Sequence, residues 1–299
     1  MSLSSVAVIM STYNGAEHVK EQIDSLLAQD APNVSIYVRD DGSKDDTCKI
    51  LREYQASGLI NLEEGGNLGV VRSFLAVLDS VPAKYEFIAL CDQDDVWHTD
   101  KLSRALEVLS TKDSSIPQLY CSEYNFCDAK MNFVERSHLN RSGVDFPKML
   151  FENMVSGNTT VINHCLANLV LQAGADDVYC HDWWLALVAT ALGDLTYDDF
   201  ASLEYRRTGA NVSPTGSDAL HLLVYRIKTF FGKGELENIT LQLHKLEDCF
   251  GNQLSPEKRD LLERSLNGDK ISKITIPCRL RQKMSEEIAL RLLFLFGVL

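Results

Sequence analysis

The sequence predicts an α/β protein with a mostly parallel central sheet flanked by helices, followed by a helical C-terminal extension. Over residues 1–115, short apolar runs alternate with amphipathic segments, which is the pattern of βαβ units. Polar residues follow each apolar run, at the strand ends where such sheets bind ligands. From residue 217 onward the apolar spacing is helical. The 299-residue chain, 45% hydrophobic and 24% charged, is long enough to bury such a fold.

Each element has its own local signal. Apolar, partly β-branched runs predict strands over 6–12, 34–40, 59–64 and 85–92. Apolar residues spaced three and four apart predict helices over 16–29, 44–55, 70–81, 99–110 and 181–192. The alternation fades after about residue 115, where we expect mixed strands and loops.

Charge and cysteine content narrow the class of protein. The formal net charge of −13 argues against nucleic-acid binding, because phosphate contacts need clustered Lys and Arg. The charge is uneven: residues 1–213 hold 16 basic and 31 acidic residues, whereas residues 214–299 hold 13 and 11. None of the eight cysteines forms a CxxC pair, which argues against a zinc site. With an N-terminus unlike a signal peptide, free thiols favour a cytoplasmic protein.

The C-terminal tail combines basic and apolar residues. Residues 270–291 contain six basic and two acidic side chains, and the apolar run 288–299 is too short to span a membrane. Such a tail suits peripheral contact with the inner face of a membrane. Packing on the protein's own core and formation of a homodimer are the alternatives.

Two acidic turns carry the strongest chemical signals. In CDQDDVW (91–97) three carboxylates follow an apolar strand, and their mutual repulsion would be relieved by a hard divalent cation such as Mg²⁺ or Mn²⁺. In RDDGSKDDT (39–47) two carboxylates close a strand, where one could bind a base N–H or a ribose hydroxyl. Solvated acidic turns are the simpler interpretation of each motif alone.

Taken together, the motifs resemble those of family 2 glycosyltransferases of the GT-A fold. The resemblance rests on four motifs in order after the first four strands and on three later ones: STYNG (11–15), DDGSKDDT (40–47), NLGVVRSF (67–74), CDQDDVW (91–97), MVSGNTTVIN (154–163), HDWW (181–184) and LEYRRTGANVS (203–213). Their layout is most similar to bacterial rhamnosyltransferase-like enzymes of cell-surface polysaccharide synthesis. The resemblance implies a catalytic domain over 1–215, with a nucleotide-sugar half to about residue 115 and an acceptor half beyond it. Beyond it, residues 216–299 are expected to form a helical C-terminal region.

The resemblance also implies an activity. The enzyme would transfer a sugar, with rhamnose as one candidate, from a nucleotide-diphosphate sugar to a hydroxyl of a glycan, glycolipid or glycoprotein. The transfer would invert the anomeric centre with Mn²⁺ or Mg²⁺ as cofactor and one carboxylate as base.

Specific residues follow by matching these motifs. Asp182 would be the base, at the N-terminus of a helix that favours a negative charge. Asp92 and Asp94 would form the DxD pair that holds the metal. Nucleotide-sugar contacts would come from Thr12, Tyr13, Asn14, Asp40, Asp41, Asn67, Gly69, Arg72, Asp92 and Gln93. Acceptor or phosphate contacts would come from His181, Trp183, Trp184 and Arg207.

One position departs from the family pattern. Related enzymes often carry a histidine where this chain has Thr208, within YRRTGANVSPTG (205–216). The metal would then have fewer protein ligands, or Arg207 would supply charge to the diphosphate instead.

Three other functions fit fragments of the sequence. Asp92, Asp94 and Val96 resemble the nucleophile motif of haloacid-dehalogenase-type phosphatases, and GDLTYDD (193–199) resembles their acidic motif, but the former follows the fourth strand and the latter follows a helix. A sugar nucleotidyltransferase would need a Gly-rich basic loop where this chain has STYNGAEH. A catalytically weak or inactive carbohydrate-binding protein is compatible with the missing histidine, but the acidic motifs argue against it.

Overall fold

The computed structural model describes residues 5–207 and 233–297. Its strands are β1 (Val6–Thr12), β2 (Val34–Asp40), β3 (Asn61–Glu64), β4 (Phe87–Cys91), β5 (Val96–Trp97), β6 (Gln118–Cys127), β7 (Phe133–Arg136), β8 (Val161–Asn163) and β9 (Asp194–Arg206). Its helices up to the gap are α1 (Val19–Leu27), α2 (Thr47–Ala56), α3 (Val70–Asp79), α4 (Lys101–Leu109), α5 (Phe146–Met149), α6 (His164–Ala173) and α7 (His181–Leu192). After the gap come α8 (Lys233–Phe250), α9 (Pro256–Asn267), α10 (Lys270–Ile274) and α11 (Met284–Phe296). Each strand and helix predicted with bounds between residues 6 and 192 is present, with ends that differ by three residues or fewer, and the part of the predicted helical region over 217–232 lies outside the described residues.

The described strands form one sheet in the order β3-β2-β1-β4-β8-β6-β9-β5, with β7 paired to β6. The first four strands in chain order are parallel, as the βαβ pattern predicts. The later strands change the character of the sheet, because β8 runs antiparallel to β4 and β6, and β5 runs antiparallel to β9. The whole sheet is therefore mixed: β6 and β9 are also parallel to each other, and the four parallel strands β1 to β4 carry the first four motifs.

Two apolar cores cover the two faces of the sheet. One contains the buried faces of α1 and α4, for example Ile23 and Leu102. The other surrounds α7 and includes residues of the C-terminal helices, such as Leu246, Phe250 and Phe294. The C-terminal helices thus share a core with the sheet.

The C-terminal helices also leave part of their surface uncovered. On α11 several large apolar side chains are exposed: Met284, Ile288, Leu292, Leu295 and Phe296. Among the described residues, no helix combines the length and apolar character that a bilayer crossing requires.

Candidate active site

The polar motifs meet at one edge of the sheet because β1, β2, β3 and β4 are parallel. In the register, Thr12 at the end of β1 lies beside Asp40 at the end of β2, and Asp40 lies beside Glu64 at the end of β3. Cys91, the last residue of β4, lies beside Met10 of β1. The turns that follow these four strands therefore open on the same side of the molecule, as expected for a ligand site in such sheets.

Asp40 is buried and accepts hydrogen bonds from the protein on both oxygens. Oδ1 accepts from the hydroxyls of Thr12, at 2.9 Å, and Ser43, at 2.6 Å. Oδ2 accepts from the backbone N–H groups of Gly42, at 3.1 Å, and Ser43, at 2.8 Å. Burial raises the pKa of Asp40, but hydrogen bonds led by those from Ser43 outweigh it and hold the pKa below its usual value. Asp40 thus shapes the turn after β2, and these contacts occupy the carboxylate oxygens that were predicted to bind a base or a ribose.

The carboxylate of Asp41 is likewise bound by groups of the protein. It forms an ion pair with Arg39 at 2.5 Å and accepts from the backbone N–H groups of Leu68, at 2.8 Å, and Gly69, at 2.9 Å. Gly69 has φ +80°, a conformation that glycine adopts without strain. Asp41 therefore fixes the loop between β3 and α3, in which the predicted contact residue Asn67 is exposed.

The loop after β1 is fastened to the acidic turn after β4. The side chain of Gln93 accepts from the N–H of Tyr13 at 2.9 Å and donates to its carbonyl at 3.2 Å. Asn14, at φ +50°, accepts from the N–H of Lys44 at 2.7 Å, which joins the same loop to the turn after β2. The ring of Tyr13 is 47% exposed, so it offers a face on which a planar base could stack.

The acidic turn after β4 holds three carboxylates with different surroundings. Burial, and after it the nearby charges of Asp94 and Asp182, together raise the pKa of Asp92 to about 7. Burial also raises the pKa of Asp94, against the opposing charges of His18 and Arg206. The side chain of Asp95 points inward, where the amide of Asn158 donates to it at 2.5 Å. Asp92 and Asp94 are therefore the two carboxylates of the turn that are partly exposed.

The structure brings Asp182 to this turn. Asp182 lies in the first turn of α7, where it accepts from the N–H groups of Gly157, at 3.2 Å, and Trp183, at 2.7 Å. Its negative charge contributes to the raised pKa of Asp92. Two motifs that are 90 residues apart in the chain thus share one electrostatic site.

Of the predicted acceptor or phosphate contacts, Trp183 and Trp184 have side chains buried in the core, and His181 is half-buried beside it. Trp183 is 5% exposed and its ring N–H donates to the carbonyl of Met149 at 2.6 Å, while Trp184 is 1% exposed. The His181 ring stacks on Phe74, with centroids 4.1 Å apart, and burial lowers its pKa. Neither tryptophan presents a ring to a sugar, and His181 faces the apolar interior.

The two arginines predicted to contact substrate form ion pairs with other residues of the protein. Arg72 pairs with Asp176 at 2.6 Å, at an exposed position. Arg207 pairs with Glu135 at 3.0 Å and lies 3.5 Å from the ring centroid of Phe126. Arg207 is thus committed to neighbouring strands, and Thr208 lies outside the described residues.

Sequence reasoning assigned no role to Arg206, which proves central to the site. It is buried, and its side chain donates to the carbonyls of Asp94, at 3.1 Å, and Ala129, at 3.3 Å, and pairs with Glu21. Its backbone N–H also points to Asp95, at 3.4 Å. The tandem arginines in YRR gave a signal, but only the pairing of β9 with its neighbours shows which of the two faces the acidic turn.

The donor atoms at the acidic turn suit a hard divalent cation. The charge of Asp94 raises the pKa of Asp92, and burial raises the pKa of Asp94, so both carboxylates are costly to keep ionised there. Within the described ranges, no three side chains of Asp, Glu, His or Cys converge as a complete ligand set. A cation held by Asp92 and Asp94 would therefore take its remaining ligands from phosphate oxygens or water, which is how Mg²⁺ is often bound.

Comparisons with known proteins agree with this geometry. The model of the family Glycosyl transferase family 2 matches residues 7–151. The dTDP-rhamnosyl transferase RfbG of Shigella flexneri is 28% identical over 221 residues, which are 68% of this chain and 75% of that protein. The teichuronic acid biosynthesis glycosyltransferase TuaG of Bacillus subtilis, itself named putative, is 32% identical over 108 residues, which are 35% of this chain and 41% of that protein.

A solved structure supports the fold over nearly the whole chain. The crystal structure of S. aureus TarS 1–349 in complex with UDP-GlcNAc covers 98% of this chain and 92% of that one, with a TM-score of 0.56 and 15% identity. At this identity the likeness concerns the fold alone, and it extends the GT-A assignment beyond the residues that the family model matches. Residues 7–151 therefore match the family 2 glycosyltransferases, the GT-A fold extends over nearly the whole chain, and the protein is a glycosyltransferase similar to a bacterial dTDP-rhamnosyl transferase.

Proposed function

We propose that the enzyme transfers a sugar, with inversion, from a nucleoside-diphosphate sugar to a hydroxyl of a glycan, glycolipid or glycoprotein. The observation that carries the proposal is the shared electrostatic site of Asp92, Asp94 and Asp182 at the carboxyl edge of the parallel strands. One carboxylate opposite the departing diphosphate is enough for a single displacement, which needs no covalent intermediate.

The donor pocket is proposed to lie between the turns after β1, β2 and β4. Tyr13 supplies an exposed ring for the base, while Gln93 and Asn14 hold the loop that carries it. Asp40 and Asp41 stabilise the floor of the pocket through their bonds to backbone N–H groups. In the TarS structure the same fold is in complex with UDP-GlcNAc, which supports a nucleotide-sugar donor.

Asp92 and Asp94 are the residues that would hold Mn²⁺ or Mg²⁺. Such a cation supplies Lewis-acid stabilisation of the negative charge on the leaving diphosphate. Arg206 orients the turn by binding the carbonyl of Asp94, and its charge partly offsets the rise that burial causes in the pKa of the Asp94 side chain. Arg206 thus holds the backbone of the turn that carries both carboxylates.

Asp182 is proposed to accept the proton of the attacking hydroxyl. Both of its oxygens already accept a backbone N–H, from Gly157 and Trp183, so the carboxylate is fixed in direction before a substrate arrives. Fixed orientation is what a general base needs to act without a reorganisation cost.

The test is a transfer and donor-hydrolysis screen across UDP-, GDP- and dTDP-sugars, each with Mg²⁺, with Mn²⁺ and with a chelator. The similarity to RfbG puts dTDP-rhamnose first in the screen. We expect turnover of one nucleotide class, with loss of activity in the chelator. Metal-dependent nucleotide binding without any transfer would favour the inactive binding protein, and release of phosphate from simple esters would favour the phosphatase. The comparisons favour neither alternative.

We further propose that α11 contacts an anionic membrane surface that presents the acceptor. Its exposed apolar residues, including Ile288 and Leu292, lie on a helix flanked by Lys270 and Lys283. Apolar side chains beside cations suit the boundary of an anionic bilayer.

Vesicle sedimentation tests this contact. Ile288→Glu should abolish binding to vesicles that contain phosphatidylglycerol, whereas Leu241→Glu, which changes an exposed leucine on α8, should not. If the face joins two copies instead, light scattering will show a dimer that Ile288→Glu dissociates, and vesicle binding will be absent.

A further inference from the structure

The buried ammonium of Lys101 lies beneath the acidic turn and has no role in the chemistry above. Lys101 is the first residue of α4 and is 1% exposed. Its Nζ donates to the carbonyl of Asn158 at 2.7 Å and lies 4.2 Å from the ring centroid of Trp97. Because a buried amino group that loses its hydrogen-bond acceptor costs free energy, the contact favours conformations in which the carbonyl of Asn158 stays within reach of Nζ.

The carbonyl that Lys101 binds belongs to a 3₁₀ turn, Gly157–Thr159, that touches both halves of the site. The side chain of Asn158 donates to Asp95 of the acidic turn at 2.5 Å. The backbone N–H of Gly157 donates to Asp182 at 3.2 Å. Adjacent residues of one turn therefore hold the acidic turn and the proposed base.

A short series of hydrogen-bonding groups connects Lys101, and through it the turn, to the sheet. Nζ of Lys101 is 3.5 Å from the hydroxyl of Ser202 on β9, and that hydroxyl is 2.7 Å from the hydroxyl of Ser122 on β6. These groups are all buried, so water does not replace them readily. Lys101 thus joins the turn to two strands of the sheet.

We propose that Lys101 is a positioning residue that fixes the acidic turn relative to Asp182 by holding the carbonyl of Asn158. The consequence for catalysis rests on the proposed function, whereas the consequence for the order of the turn does not. The two are therefore tested separately.

The first test is hydrogen exchange of the protein without ligands. Lys101→Met keeps an unbranched buried side chain and removes the donor, and Lys112→Met, at an exposed position just after α4, is the matched control. In Lys101→Met the amides of residues 157–160 should exchange at least about tenfold faster while β1 and β2 keep their protection. Unchanged exchange in this turn would overturn the proposal even if the enzyme shows no activity.

The second test separates positioning from substrate binding. Lys101→Met should lower kcat by about 10- to 100-fold, because small displacements of reacting groups cost this much, with donor KM within about threefold of wild type. Asn158→Ala, which leaves the ammonium and the carbonyl in place, should give the same pattern, and it serves if Lys101→Met does not fold. The double variant should be no slower than the slower single variant. A wild-type kcat in Asn158→Ala would contradict the proposal that Lys101 acts through this turn. So would a double variant whose loss in kcat is the product of the losses in the two single variants.

Discussion

Replacing Asp182 by Asn is the sharpest test of the proposed chemistry. The substitution preserves the shape of the side chain and removes the charge that accepts the proton. Loss of a general base typically lowers the rate by about 10²- to 10⁴-fold, which is about 3 to 5 kcal/mol in the activation barrier. We expect kcat to fall by that factor while binding of the nucleotide sugar persists.

The structure also gives the cost of this substitution to stability. The two oxygens of Asp182 accept from Gly157 and Trp183, whereas an amide has one oxygen, so one N–H loses its acceptor at a cost of about 1 kcal/mol. Loss of a negative charge at the start of α7 adds roughly 0.3 to 1 kcal/mol. A total of about 1 to 2 kcal/mol is small beside the stability of an ordinary domain, so the variant should stay folded.

Single-turnover transfer and calorimetric titration of the nucleotide measure the two effects separately. Asp199→Asn, which neutralises an exposed carboxylate on β9, is the control for the change in net charge and should keep wild-type kcat. Turnover by Asp182→Asn within about tenfold of wild type would refute its role as the base.

Three further predictions concern the surroundings of the site. Trp184→Ala should lower the free energy of unfolding by about 3 to 5 kcal/mol in urea, since the ring is buried, and a raised acceptor KM at wild-type stability would count against that placement. Gly157→Ala should lower kcat by roughly 100-fold with donor KM nearly unchanged, because the new Cβ would lie 2.9 Å from Nε2 of His181 and displace the turn. A donor KM that rises by the same factor as kcat falls would contradict this explanation. Asp40→Asn should cost about 1 to 3 kcal/mol at neutral pH. Because the folded-state pKa of Asp40 is lowered, its contribution to stability is complete at pH values above the usual pKa of 3.8 and is lost as the pH falls through the folded-state pKa. The difference in Tm between the wild type and Asp40→Asn should therefore become smaller in acid.

The parallel half of the fold was predictable because its signals are local. Each strand such as 6–12 is a short apolar run, each helix such as 70–81 has its own periodicity, and the polar motifs mark the turns between them. The antiparallel strand β8 has only three residues, and its place between β4 and β6 depends on long-range pairing that no local pattern encodes.

Whether a predicted site residue is exposed could be inferred from the sequence only where exposure followed from its position in the sheet. The partly exposed Asp92 and Asp94 follow β4, and the apolar pattern of β4 locates them. The positions of Trp183 and Trp184 were not predictable, because α7 is apolar on nearly all sides and its pattern does not reveal which face is covered. The residue that packs against Trp184 is Phe250, whose ring centroid is 6.2 Å away in space and whose position in the chain is more than sixty residues later.

That packing between α7 and the C-terminal helices bears on how such an enzyme can change over evolution. Phe250 and Leu246 cover the helix that carries Asp182, so a substitution in the tail can tilt α7 without altering any motif residue. If Asp182 is the base as proposed, divergence in this region would change acceptor choice while the proposed donor pocket, between the turns after β1, β2 and β4, stays the same. Exchange of tails between homologues is accordingly a route to new linkages, provided that the buried partners of Trp184 are exchanged with them.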